Sequence, residues 1–122
     1  MKYLNIDLAL VRSAEFLSAS HEQRATWFIL LCHCADQNNG GMIRDAAKWH
    51  SRQWGQLGLT TEDVSAESPL WTISCGHLTV FGYPKDQEFA YKRMSKGGSA
   101  GNLKRWSNKV VEAPIRYKAG SE

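Results

Sequence analysis

The 122-residue chain has few of the features that mark membrane or secreted proteins. Its longest apolar run, Trp27 to Cys32, is far shorter than the roughly 20 residues that a membrane span needs. Asp7 and Arg12 interrupt the N-terminal stretch YLNIDLALV, which therefore lacks the unbroken apolar centre of a secretory signal, and no N-glycosylation sequon occurs. We therefore expect a cytoplasmic protein with no membrane partner.

Cysteine is scarce, and the sequence lacks the usual signatures of metal and nucleotide sites. The chain has three cysteines and no C-x-x-C pair. Cys32, His33 and Cys34 lie on a predicted helix, where successive side chains point about 100° apart, so one metal ion would reach only one or two of them. The phosphate-binding patterns G-x-x-x-x-G-K-[ST] and G-x-G-x-x-G are also absent. We expect reduced thiols, no metal or other cofactor, no small-molecule substrate and no enzymatic activity.

Charge is distributed unevenly along the chain, although the net charge is only +3. Residues 1–91 hold seven Lys or Arg against ten Asp or Glu, a net charge of −3, whereas residues 92–122 hold eight against two, a net charge of +6. A basic segment beside an acidic body is typical of proteins with a polyanionic partner. This asymmetry is the main functional signal in the sequence.

The length and composition predict one folded domain with an extension. With 43% hydrophobic residues and five tryptophans, the chain has enough apolar material for one modest core. We predict a domain over residues 1–96, followed by a basic extension rich in Gly, Ser and Lys over residues 97–122. YLNID near the N-terminus suits either a short strand or an extended lead-in.

Capping signals predict three helices in the first half of the chain. Ser20 with Gln23 forms a capping box, and NNGG ends this main helix. Helical spacing predicts that its core face carries Ala25, Phe28, Leu31, Cys32 and Ala35. A second helix is predicted from Asp45 to Trp54. A short third helix begins near Thr60 and is ended by Pro69.

Two strands and a last helix follow. Met42-Ile43 suits a brief strand between the first two helices. LWTISCGHLTVFGY predicts a hairpin with a turn at Cys75-Gly76, which pairs Ile73 with Leu78 and Trp71 with Val80 on one apolar face. PKDQEFAYKRMSKGG predicts a helix with Pro84 in its first turn and Gly97 as its C-cap. The residues of this helix that are available for packing are Phe89, Tyr91 and Met94.

This order of helix, strand, helix, helix and hairpin predicts an α+β fold of the winged-helix type, a helix-turn-helix variant with a two-stranded wing. The run TWFILLCHCADQNNGGMI, followed by LGLT, SPLW, LTVFGYP and KRMSKGGSAGNLKRW, resembles the N-terminal winged-helix domain of phage and prophage replication-initiation proteins. The resemblance covers about residues 20–106. It implies DNA binding in a phage, prophage or mobile-element replication context, with a basic segment directly after the winged helix.

The third helix, which enters the major groove in a standard winged helix, is acidic here. Its segment contains Glu62, Asp63 and Glu67 and no Lys or Arg. A carboxylate about 4 Å from a phosphate is repelled by roughly 1 kcal/mol even in water, so three such contacts would weaken binding about a hundredfold. The hairpin tip adds only His77, which is mostly neutral at pH 7. We therefore expect the grip on DNA to come from other residues.

Two basic surfaces are the candidates. Along the second helix, counted from the residue just before it, Arg44, Lys48 and Arg52 are spaced i, i+4, i+8, which predicts one exposed stripe. The C-terminal candidates are Lys92, Arg93, Lys96, Lys104, Arg105, Trp106 and Lys109. About six phosphate contacts would give a slope of log K against log salt of about −5, typical of binding with low sequence specificity.

Two alternatives remain open. The C-terminal bases are equally consistent with an ordinary solvated surface, in which Gly97 ends a helix and Trp106 packs on the body. The stripe of Arg44, Lys48 and Arg52 is more typical of a basic helix face that is simply solvated than of a binding surface. The domain is also consistent with a protein-protein interaction module that forms homo-oligomers, in which the acidic third helix pairs with a basic tail of a neighbouring subunit.

Overall fold

The computed structural model describes residues 1–97, which divide into a unit over Met1–Glu88 and the part of the last helix that begins at Phe89. The helices are α1 (Leu8–Val11), α2 (Ala14–Ser18), α3 (His21–Gln37), α4 (Ser51–Gln56), α5 (Thr61–Ser65) and α6 (Lys85–Gly97). The strands are β1 (Met42–Ile43), β2 (Trp71–Ser74) and β3 (His77–Val80). The expected α+β class is confirmed.

Two short N-terminal helices were not predicted, although each begins at a capping side chain. The Asp7 carboxylate accepts a hydrogen bond from the backbone N–H of Ala9 at 3.0 Å, and the Ser13 hydroxyl accepts one from the N–H of Phe16 at 3.2 Å. Such caps satisfy donors that the first helical turn leaves unpaired. Residues 1–7 form neither a strand nor a helix, so the strand suggested for YLNID is wrong.

The capping box of α3 is confirmed, but the predicted core face is wrong. Ala25, Phe28 and Cys32 are exposed, and only Leu31 and Ala35 of the predicted set are buried. The run from Trp27 to Cys32 is apolar on every side of the helix, so its spacing does not indicate which face is buried. Tertiary contacts determine that face. The side chains that α3 buries are Thr26, Trp27, Leu30, Leu31, Cys34 and Ala35.

The predicted second helix is also wrong, because the chain breaks it in two. A 3-10 turn covers Ala46–Lys48, Trp49 is extended (ψ 139°), and α4 starts only at Ser51. On one continuous helix, Trp49 and Trp54 would lie five residues and therefore about 140° apart. The break lets the two indoles pack together, with ring centroids 4.4 Å apart.

The three strands form one antiparallel sheet in the order β1-β3-β2. The predicted hairpin register is confirmed, with Trp71 opposite Val80 and Ile73 opposite Leu78. Cys75 and Gly76 both have positive φ (54° and 82°), as the tight two-residue turn requires. The predicted apolar face is only partly buried, because Ile73 is 44% exposed.

The core lies between α3, α5 and the sheet. Its most completely buried side chains are Leu30, Leu31, Cys34, Leu70 and Leu78. Two tryptophans fasten the elements together through their indole N–H groups: Trp27 donates to the carbonyl of Phe81, and Trp71 donates to that of Val64 in α5, each at 2.9 Å.

A buried polar cluster lies where α6 begins. The Tyr83 hydroxyl donates to the carboxylate of Glu88, which also accepts the backbone N–H of Gly40 at 3.1 Å. Glu88 is 5% exposed. Burial beside this carboxylate raises the pKa of Tyr83. None of the helices within residues 1–97 combines the length and the apolar composition that a membrane crossing requires.

Candidate nucleic-acid interface

Arg44, Lys48 and Arg52 do not form the predicted helical stripe, because they belong to three different local structures. Arg44 follows β1, Lys48 ends the 3-10 turn, and Arg52 lies in α4. All three side chains are exposed. Within residues 1–97, no carboxylate lies within ion-pair distance of any of them. We call residues 44–52 the basic segment.

The hairpin tip holds the basic segment in place. The backbone N–H of Asp45 donates to Nδ1 of His77 at 2.9 Å, and the N–H of Ala47 donates to the carbonyl of Gly76 at 3.1 Å. Asp45 has a positive φ of 55°, which turns the chain sharply after β1. His77, expected to project from a wing tip, therefore uses a ring nitrogen to fix the basic segment.

A cleft of about 280 Å³ opens beside Arg44. Two of its walls are aromatic: the His33 and Trp49 rings meet edge to face, with centroids 5.8 Å apart. Its lining residues are His33, Gln37, Asn39, Met42, Ile43, Arg44 and Trp49. Sequence reasoning missed this cleft, because it joins the last turns of α3 to residues that follow β1, and no local spacing relates the two.

Burial lowers the pKa of His33 below its ordinary value of 6.5, and the nearby charge of Asp36 only partly opposes the effect. At neutral pH the cleft therefore presents a neutral imidazole. Among the described residues that line the cleft, the cation is Arg44.

The other predicted site residues that the structure describes lie on α6, in the second unit. Lys92 and Arg93 are exposed, and the Arg93 guanidinium lies 5.5 Å from the centre of the Phe89 ring. Phe89 is 64% exposed and Met94 is 61% exposed. Lys96 lies on the same helix. The remaining predicted site residues, Lys104, Arg105, Trp106 and Lys109, lie outside the described residues.

The acidic side of the domain lies on α5. The Asp63 carboxylate accepts the backbone N–H of Thr60 at 3.0 Å, while Glu62 and Glu67 are exposed. A groove of about 380 Å³ runs between the end of α5 and β2, and Glu67, Trp71 and Ile73 help to line it. The exposed charges of α5 and of the residues that directly follow it are therefore negative.

The cysteines are free thiols in different surroundings. Cys34 is buried, whereas Cys32 and Cys75 are exposed. In the part of the chain that the structure describes, no three His, Cys, Asp or Glu side chains are grouped as a metal site requires.

When the chain was compared with protein-family models, with curated proteins and with solved structures, nothing matched. The resemblance to phage replication-initiation proteins stays a prediction from the sequence pattern.

Proposed function

We propose that this protein is a non-enzymatic DNA-binding protein built on a winged-helix scaffold and serving replication of a phage, prophage or related mobile element. It binds with little sequence preference. Its phosphate contacts come from the basic C-terminal region and the basic segment rather than from α5.

The order of elements supports the scaffold. α3, β1, α4, α5 and the β2-β3 hairpin follow one another as the helices and strands of a winged helix do, and β1 pairs with β3 to give the sheet order β1-β3-β2. Residues 57–60 connect α4 to α5 by a short turn like that of a helix-turn-helix, with Gly58 at a φ of 82°.

The distribution of charged side chains that have no ion-pair partner is the observation that favours DNA as the partner. Arg44, Lys48 and Arg52 have no carboxylate partner among residues 1–97, whereas the exposed charges of α5 are carboxylates. A polyanion therefore approaches the basic segment with attraction and α5 with repulsion. The eight Lys and Arg of residues 92–122 add further positive charge that attracts a polyanion.

A charge-removal experiment on the full chain tests the proposal. Lys104, Arg105 and Lys109 are changed together to Gln, and binding of labelled duplex and single-stranded DNA is titrated at several salt concentrations. Each lost phosphate contact flattens the slope of log K against log salt by about 0.9 on duplex DNA and about 0.7 on single strands, so we expect a change of nearly 3 for the duplex and about 2 for the single strand.

The control variant removes the same number of charges elsewhere. Lys2, Arg12 and Lys85 are exposed and are likewise changed to Gln. Equal losses of DNA affinity in the two variants would show that net charge alone attracts the DNA. Absence of binding by the unaltered chain at low salt would refute the proposal.

A second candidate function, a protein-protein interaction module, is favoured by the exposed apolar side chains of α6. Tyr91 and Met94 lie three residues apart on α6, and therefore on one face, and are 42% and 61% exposed; exposed apolar groups of this kind mark interaction surfaces when they are grouped. Sedimentation of the unaltered chain and of a Tyr91→Ser, Met94→Ser variant tests it. A dimer that the double variant abolishes would favour assembly, and a monomer in both would exclude self-association.

A further inference from the structure

The cleft beside Arg44 places aromatic and amide groups, which the proposed function does not otherwise use, next to a cation of the basic segment. With a volume of about 280 Å³ it lies just below the range of drug-sized pockets, about 300–1,000 Å³. A small planar group attached to a longer molecule suits that size. Trp49 and His33 supply aromatic surface, and Gln37 supplies an exposed amide.

The donors in this cleft are available to a ligand. Trp27 and Trp71 use their indole N–H groups to bind backbone carbonyls, whereas the indole N–H of Trp49 has no hydrogen-bond partner within residues 1–97. The Gln37 amide N–H donates to Asp36 at 3.3 Å, which leaves the amide oxygen to accept. A nucleobase edge carries both the acceptors and the donors that such groups bind.

The charges favour a neutral group inside the cleft and an anion at its mouth. Asp36 acts electrostatically on His33, so a phosphate at the His33 side would be repelled. Arg44 lies at the cleft and has no carboxylate partner in the described part of the chain; Lys48, four residues later, ends the 3-10 turn and is exposed. A base in the cleft with its phosphates toward Arg44 and Lys48 satisfies both conditions.

We propose that this cleft binds one unpaired base of single-stranded DNA, with Arg44 on the adjoining phosphate and the base against Trp49. The inference rests on the proposed DNA binding and adds a preference for single strands. Bases of a duplex are already paired and stacked, and flipping one out costs a few kcal/mol. An unpaired base enters without that cost.

The experiment compares two substitutions of Trp49 in the full chain. Trp49→Phe keeps an aromatic ring and Trp49→Leu removes it, while both keep an apolar group against Trp54. Binding of a labelled oligo-dT strand and of a duplex of equal length is measured by fluorescence anisotropy at one low salt concentration. Because stacking of a base on an aromatic ring is worth about 1–3 kcal/mol, we expect Trp49→Leu to weaken oligo-dT binding about fivefold or more. Trp49→Phe should stay within about threefold of the unaltered chain, and duplex binding should change less than about twofold in either.

Arg44→Gln provides a variant that does not touch the core, and Arg12→Gln is its matched control at another exposed arginine. We expect Arg44→Gln, and not Arg12→Gln, to weaken oligo-dT binding more than duplex binding. Cross-linking gives a readout that does not depend on variants: under ultraviolet light, an oligonucleotide carrying 5-iodouracil loses iodine as HI and should form a covalent adduct with Trp49 or His33 in the unaltered chain.

Three results would overturn the inference while leaving DNA binding intact. They are equal losses of single-strand and duplex binding in Trp49→Leu, unchanged oligo-dT binding in Arg44→Gln, and adducts confined to residues outside the cleft. If the unaltered chain binds neither oligonucleotide at low salt, the proposed function itself fails.

Discussion

Substitution of Gly41 by alanine tests how closely the chain packs where α3 passes into β1. Gly41 has a φ of 84°, and a Cβ atom placed on it would lie 2.7 Å from Cβ and 2.8 Å from Cγ of Tyr83. Both are atoms near the backbone. The Tyr83 ring has little freedom to retreat, because its hydroxyl is bonded to Glu88 and lies 3.3 Å from the carbonyl oxygen of Cys34.

The neighbouring Gly40 is the matched control. Its φ is 75°, and an added Cβ would meet nothing within 4 Å. Alanine in this left-handed conformation costs about 1–2 kcal/mol, partly offset by about 0.4–1 kcal/mol from a less flexible unfolded chain. Gly40→Ala should therefore lower the free energy of unfolding by about 1 kcal/mol. Gly41→Ala bears the same cost and, in addition, an overpacking cost of about 1–3 kcal/mol.

Urea unfolding followed by tryptophan fluorescence measures the difference. We expect the midpoint of Gly41→Ala to lie below that of Gly40→Ala with an unchanged slope, and its melting temperature to be at least about 4 °C lower. Equal midpoints for the two variants would refute the close contact between Gly41 and Tyr83.

Two further predictions concern single side chains. Burial raises the pKa of Cys34 to about 11 from 9.0; the folded protein thus holds this proton more tightly than the unfolded chain. The contribution of this protonated thiol to the free energy of unfolding is complete below pH 9 and is lost as the pH rises to about 11. The stability difference between the unaltered protein and Cys34→Ala, measured under reducing conditions, should narrow over this range; a constant difference would contradict it. Thr60→Ala removes the hydroxyl that accepts the Asp63 N–H at 3.0 Å and should cost about 1 kcal/mol in thermal unfolding, whereas Thr61→Ala should cost less; equal losses would contradict a capping role.

Local signals in the sequence predicted the elements that local physics determines. The capping boxes at Ser20 and Thr60 place the starts of α3 and α5, because a side-chain acceptor three residues before an N–H donor is a purely local arrangement. The hairpin register followed from alternation on both strands, since a one-residue slip would reverse every side chain of a strand.

Features that depend on distant contacts were not predicted. α3 buries Leu30 instead of Phe28 because a helix that is apolar all round takes its orientation from its neighbours. The break before α4 allows Trp49 to pack on Trp54, and no local sequence signal indicates that contact. The sequence therefore identified Arg44 as a candidate, but not the cleft at which it lies.

Hydrogen bonds to the hairpin tip explain how the cleft and the basic segment keep their shape although their secondary-structure elements are short. The 3-10 turn and β1 together span only a few residues, and such pieces are not stable alone. Hydrogen bonds from Asp45 to His77 and from Ala47 to Gly76 tie them to the sheet. The cleft and the basic segment are thereby held by the folded core.

The most direct test of DNA binding is the salt dependence of the unaltered chain on a labelled DNA of arbitrary sequence. With about six phosphates neutralised, log K should fall with log salt at a slope of about −5, and a second, unrelated sequence should give nearly the same affinity. No measurable association at low salt, or an affinity that salt does not change, would contradict the account.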